Sequence, residues 1–441
     1  MPKAPKQALN LLSQLGIRLA SRLLPNGQMA QAQPLGSPSH QPSFAAAASE
    51  ERLENLFQIP IRTDCTETAR RMALHEQGQF LARQDRWGEL SKLMQQADQA
   101  QSKTTGGLAE AEVLAFGARA DVINAVEHAL SEPGAETERS LDDKVLLSGV
   151  MSLEALRRDH ADDPYITTLV ALAHIDIAWI WRTNASDAGS GELYLRRAMA
   201  HFDRAAALLA PLRNNESQSP FILAALCALY SGQSEDCLQV ADAYAALIDY
   251  DPRCHRHIRG LGLQMLPRAN GSYAALELEA RRVAVRTQST WGAGGYTWTY
   301  FDAIAIDDQA CARVDVKFFL DGIQDILCAD PSQEMINMLT AYCTVTLQKE
   351  WGSSEPADQT RQEIAQSACW LARNHMRELH PLIWAHAAKG FDNSARVPSL
   401  NRFAAHGKAQ ALECLASIFQ EEISSGHRVA FTKNGFDLMS A

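Results

Sequence analysis

From about residue 66 to residue 424 apolar positions recur three and four apart, the period of a helix with one buried face. The pattern predicts helices over 66–84, 87–101, 107–131, 136–159, 164–182, 190–210, 218–231, 234–248, 252–265, 272–287, 307–328, 332–348, 358–379 and 400–424. Pro133-Gly134, Asp163-Pro164, Pro211, Asp251-Pro252, Asp330-Pro331 and His380-Pro381 fall between these segments, where proline opens or stops a helix. Strand signals are scarce: one short hairpin is expected over Arg428 to Leu438, turning at Asn434-Gly435. The fold class predicted is therefore all-α. Helices of this length on short joins predict antiparallel hairpins stacked as an irregular array.

The first 49 residues have a different pattern. Ala8, Leu12, Leu15, Leu19 and Leu23 share one helical face, while Gln14, Arg18 and Arg22 share another. With Lys3 and Lys6 and no acidic residue, this predicts a basic amphipathic helix within residues 1–24. Residues 25–49, rich in Pro, Gln, Ser and Ala, read as a flexible, disordered linker. A helix of this kind is an address, a membrane-surface anchor or a docking element. Export, or peripheral membrane contact through residues 1–24, thus stands as the alternative to a cytoplasmic location. Arg18 and Arg22 interrupt the apolar region that a secretory signal needs. The longest apolar stretch, Tyr165 to Trp181, is broken by His174 and Asp176, so no membrane-spanning helix is expected. The body divides by pattern into helical hairpins over 50–215, a helical domain over 216–350, and C-terminal helices with the short hairpin over 351–441.

Three segments share a further spacing. Phe221, Ala224 and Ala225 precede Gly232, and Cys237, Ala241 and Tyr244 follow it, with Pro252 closing the unit late. Leu74, Gly78 and Leu81 precede Trp87, Leu90, Met94 and Ala97. Ala198, Phe202 and Ala205 end at Pro211. Small residues at these places let two helices approach, and large ones fill the groove toward the next pair. The spacing resembles that of the tetratricopeptide helical-hairpin superfamily. The junction Leu266-Pro267-Arg268-Ala269-Asn270-Gly271-Ser272-Tyr273 is similar to the Leu-Pro-Arg…Gly-Ser junction of an uncharacterised bacterial helical family related to it. Ala269 stands where that family places an aromatic residue. The resemblance implies a tetratricopeptide-like fold, over roughly 220–350 for the junction family, and no chemistry.

Composition narrows the function classes. The chain of 441 residues carries a formal net charge of −11, which argues against a nucleic-acid partner. Its nine cysteines are scattered without a Cys-x-x-Cys pair, as expected of free thiols in a reducing compartment. Phosphate-loop, dinucleotide, zinc-protease and serine-elbow signatures are all absent, and no catalytic residue or cofactor is assigned. Cys254 and His257 share a helical face, but two ligands fall short of the four of a structural zinc site, so no metal is assigned. The acidic pairs at 142–143, 159–163, 249–251 and 307–308 read as helix caps. His174 and Asp176 diverge on their helix and read as polar groups satisfied by separate neighbours.

The densest aromatic run follows a glycine-rich turn, Trp291-Gly292-Ala293-Gly294-Gly295-Tyr296, and continues with Trp298, Tyr300 and Phe301. Arg268, Trp291, Tyr296, Trp298 and Tyr300 are the candidate partner-binding residues. The competing reading is a helix start packed by aromatics. The function expected first is a non-enzymatic scaffold or adaptor gripping a peptide or partner helix, with the acidic body suited to a basic partner. The rivals are an enzyme or small-ligand protein with its site at 291–301, and a membrane-peripheral or exported factor. Oligomeric state is left open by the pattern.

Overall fold

The computed structural model describes residues 53–62, 66–104, 106–131, 143–185, 191–213, 219–233, 236–348, 352, 354–389 and 400–440. The helix expected within 1–24 and the linker over 25–49 lie outside the described residues. The described chain is predominantly helical, with one small sheet, and the all-α prediction holds. It divides into two compact units: one spans Thr66–Ser272, and the other joins residues 53–62 to the chain from Tyr273 onward. The division falls inside the Leu-Pro-Arg…Gly-Ser junction.

The first unit holds α1 (Thr66–Arg83), α2 (Trp87–Gln99), α3 (Glu110–Ser131), α4 (Asp143–Asp159), α5 (Pro164–Asn184), α6 (Gly191–Leu209), α7 (Pro220–Tyr230), α8 (Cys237–Tyr250) and α9 (His255–Gln264). Helices α1 and α3 run in the same direction. Arg70 bridges to Glu110, and Gln79 and Arg83 reach Asp121 farther along both. Between these pairs the backbones touch. A Cβ at Gly78 would fall on the Leu114 carbonyl, and one at Gly117 on the His75 carbonyl. Helix α2 lies against α3 and buries Leu90 and Met94.

Helices α5 and α6 form an antiparallel pair. Trp181 meets Tyr194 at the joined ends, and His174 meets His201 midway. Helix α7 runs parallel to α5: Tyr165 stacks on Phe221 near their starts, and Arg182 donates to the Gly232 carbonyl near their ends. The Asp98 carboxylate holds three elements together, accepting from Tyr165 Oη (2.9 Å), Ser219 Oγ (2.5 Å) and the Phe221 backbone N–H (2.9 Å). Asp163 caps α5 through the Tyr165 and Ile166 amides, the capping role expected of the acidic pairs.

Helix α5 is long and apolar enough to cross a membrane by length and composition, a match the sequence pattern did not predict. Within the fold 83% of its most apolar window is buried. A helix apolar on all sides is what a core position requires.

The second unit holds α10 (Tyr273–Arg286), α11 (Gln288–Trp291), α12 (Gly294–Phe301), α13 (Ala303–Ile306), α14 (Asp308–Cys311), α15 (Val316–Ala329), α16 (Gln333–Thr344), α17 (Glu355–Ala365), α18 (Ser367–Trp370), α19 (Pro381–Lys389), α20 (Leu400–Ile418) and α21 (Gln420–Ser424). The helix expected over 307–328 is two. The chain breaks after Cys311, and Asp315 caps α15 by accepting from the Phe318 N–H. The segment expected as 358–379 ends in a π-turn at Leu371–His375. Asn337 on α16 fixes the chain beyond it, accepting from His380 N–H (3.1 Å) and Trp384 Nε1 (2.9 Å) while donating to the Glu378 carbonyl (2.9 Å).

The C-terminal hairpin is present as β2 (His427–Thr432) and β3 (Gly435–Ser440), with Phe57–Gln58 added as a parallel edge strand, β1. The two loop residues are Lys433 and Asn434 rather than Asn434 and Gly435. Gly435 opens the return strand at φ +147°, a backbone region essentially closed to other residues.

Replacing Gly78 or Gly117 by alanine is expected to lower stability by about 1–3 kcal/mol, because neighbouring backbone cannot yield like a side chain. Gly88→Ala, whose new Cβ meets nothing, is expected to leave stability unchanged or raise it by up to about 1 kcal/mol. Urea unfolding of the three variants checks the contrast.

Candidate functional site

The aromatic run of the second unit is a packing device. The chain turns at Gly292 (φ +56°), where the Ala293 N–H donates to Asp325 Oδ2 at 2.7 Å. Gly294 and Gly295 then let α12 settle between α15 and α10: added Cβ atoms would strike Ile326 on one side and Thr287 and Ala284 on the other. Tyr296 and Tyr300 share a face, as their spacing predicts. Both hydroxyls donate to Glu277 Oε2, at 2.9 and 2.8 Å, and the Tyr296 oxygen also accepts from the Asp315 N–H. Arg281 ties Glu277 to Asp315 and lies over the Tyr296 ring. Burial pushes both phenols up, so they stay protonated donors.

Trp298 points to the other side, edge-on to Trp291 and against Phe301. Exposures of Trp291, Tyr296, Trp298 and Tyr300 are 6, 0, 0 and 1%. Four of the five candidate partner-binding residues thus lie in the interior of the second unit, with no ring open to a ligand. The physical reason is glycine-permitted close packing. The fifth, Arg268, is half-buried in the loop after α9, in the first unit.

The first unit carries two polar clusters. In one, His174 on α5 meets His201 Nδ1 at 2.9 Å through its own Nδ1, and Glu154 Oε1 on α4 at 3.1 Å through Nε2. Arg204 on α6 grips Glu154 with two bonds of 2.6 and 2.8 Å and, as the largest cause, holds that carboxyl down at about 2. An ionised Glu154 only accepts, so His174 carries its proton on Nε2. His174 Nδ1 is then the acceptor and His201 Nδ1–H the donor. Burial lowers both imidazoles, His201 to about 4, with His174 and Arg197 beside it acting in the same direction. The neighbouring Asp176 is engaged elsewhere, by Arg119 of α3 at 2.8 Å. His174 and Asp176 therefore have separate neighbours, the arrangement their divergence predicts.

The second cluster spans the α8–α9 turn. Asp251 ends α8, Cys254 caps α9 and His257 lies in its first turn. The Cys254 N–H donates to the Asp251 carbonyl and the His257 N–H to the Cys254 carbonyl, each at 3.1 Å. These successive turns bring a carboxylate oxygen, the thiol and an imidazole nitrogen within 4.8 Å of one another. Lys103 Nζ hydrogen-bonds Asp251 Oδ1. Burial raises the Cys254 thiol to about 11 and lowers His257, leaving both neutral. Glu112 on α3 is raised by burial, against the attraction of His257 and Arg256. Sequence spacing counted two ligands here because Asp251 precedes the helix and reads as a turn acid.

Surface chemistry adds one feature. Among the described residues of the first unit, exposed large apolar side chains fall mainly on even-numbered helices: Met151 (56%) on α4, Leu195 (39%) and Met199 (50%) on α6, and Leu238 (63%) on α8, with Phe80 (54%) on α1. Leu195 and Met199, four residues apart, share one flank of α6. The Glu154–Arg204 bridge ties α4 to α6 on another flank. No family model, curated protein or solved structure matches this chain.

Both His201 and His75 on α1 have folded values near 4 against an ordinary 6.5. The unfolded chain therefore binds protons that the folded one refuses, and stability falls as pH drops from 6.5 toward 4. Glu154 adds a loss from its ordinary 4.5 down to about 2. The histidine part is expected to be roughly 1–3 kcal/mol per site. Thermal melts from pH 7 to 4.5 are expected to show it, with a shallower slope in His201→Gln; an unchanged slope would contradict the assignment.

Proposed function

We propose that the protein is a non-enzymatic interaction module, related in architecture to tetratricopeptide-like arrays, that docks an amphipathic partner segment on the exposed flank of α6 in the first unit. The observation that carries this reading is the exposed pair Leu195 and Met199, four residues apart on one flank of α6. Unbranched methionine suits such a face, because it repacks around differing partners. The parallel courses of α1 with α3 and of α5 with α7 support an array reading, with partner helices on one side of each pair. The net charge of −11 favours a partner segment bearing basic residues. The Tyr296 and Tyr300 hydroxyls are committed to Glu277, so nothing at 291–301 favours the enzymatic alternative.

The test is a two-step binding measurement. A partner isolated with the full chain is titrated against Leu195→Glu/Met199→Glu and, as control, against Val285→Glu on exposed α10 surface. The paired change is expected to weaken binding by about tenfold or more, roughly 1.4 kcal/mol, with the control unchanged. Equal binding by both variants would refute the docking face.

A further inference from the structure

We infer that Asp251, Cys254 and His257 form a binding site for a divalent ion of the zinc class. The three donors come from one seven-residue segment, spaced i, i+3 and i+6, and their ligand atoms already lie within 4.8 Å of one another. Tetrahedral zinc with bonds of about 2.0–2.3 Å places its ligands roughly 3.3–3.8 Å apart, so about an ångström of side-chain closure completes the set. The turn supplies the convergence. Asp251 at the end of α8 and Cys254 at the start of α9 are both non-helical, so the helical divergence that separates neighbouring ligands on one continuous helix does not apply.

Two further observations fit a cation site. Asp251 and Cys254 are 6 and 7% exposed, which shields a bound ion from competing water. Lys103 already places a positive charge on the Asp251 carboxylate, the place an ion would take; binding would release that ammonium toward solvent. A thiol with an imidazole selects zinc, cobalt or iron over magnesium and calcium, which prefer all-oxygen sets. Binding converts Cys254 to the thiolate, with the released proton passing to solvent, and leaves the ion's oxidation state unchanged. Three protein ligands leave the fourth position to water. This site is independent of the proposed docking face.

Cobalt(II) is the probe, added to the purified, metal-stripped full chain. The expected result is one cobalt per chain, with tetrahedral d–d absorption and a near-ultraviolet thiolate-to-cobalt band, both abolished by zinc. The band is expected to be lost in Cys254→Ser and in His257→Gln, and retained in Cys237→Ser, which alters a half-buried thiol at the opposite end of α8. Circular dichroism of each variant reports that the helices remain. Lys103→Met keeps all three ligands and removes the competing ammonium, so it is expected to tighten cobalt binding. Absence of a thiolate band, its persistence in both Cys254→Ser and His257→Gln, or unchanged affinity in Lys103→Met would overturn the site.

Discussion

Helix α5 has no polar face to turn to water, and the packing of the first unit follows from that constraint. From Tyr165 to Trp181 every residue except Leu172 is buried. Such a helix is stable only when other helices surround it, and α3, α4, α6 and α7 all pack against it. Its two polar residues then cannot find water. Asp176 takes Arg119 from α3, while His174 takes Glu154 from α4 and His201 from α6. Because residues two apart diverge on a helix, the pair pins different neighbours and fixes their register. Buried ion pairs add little net stability against an apolar replacement, but a broken one leaves an uncompensated charge that costs several kcal/mol. The value of these contacts is specificity of arrangement.

The same constraint decides what the first unit shows to solvent. Helices α5 and α7 are consumed as core, and α3 is buried over most of its first half. Exposed apolar surface is left mainly to α4, α6 and α8. The docking reading therefore moves from the aromatic run favoured by composition to methionine and leucine positions that no local motif marks. The second unit shows the opposite outcome: the aromatics of α12 are gathered inward by Gly294 and Gly295, and the Tyr296 and Tyr300 hydroxyls are satisfied by a single carboxylate, Glu277.

Much of this was legible in the sequence, and the exceptions have physical causes. Long helices with one apolar face announce themselves by period and by their proline and acidic caps, as α1, α5 and α6 do. The short helices α11, α13 and α14, and α12, apolar on every side, carry no period to read. The break after Cys311 was marked only by Asp315, an N-cap before an apolar run. At the candidate sites, the aromatic cluster was visible, but its burial depended on Glu277 and Asp315, 19 residues to either side of Tyr296. The His174–His201 contact spans 27 residues and needs the hairpin register to exist. Asp251 was visible as an acid before a proline; only the turn geometry made it a partner of Cys254 and His257.

Hydrogen–deuterium exchange of the full chain measures the central claim, that α5 is the enclosed core helix, most directly. The account predicts that amides from Leu169 to Trp179 exchange last in the first unit, only through global unfolding, and more slowly than those of α2 or α8. Exchange of that segment through a low-energy local opening, ahead of the helices packed around it, would contradict it.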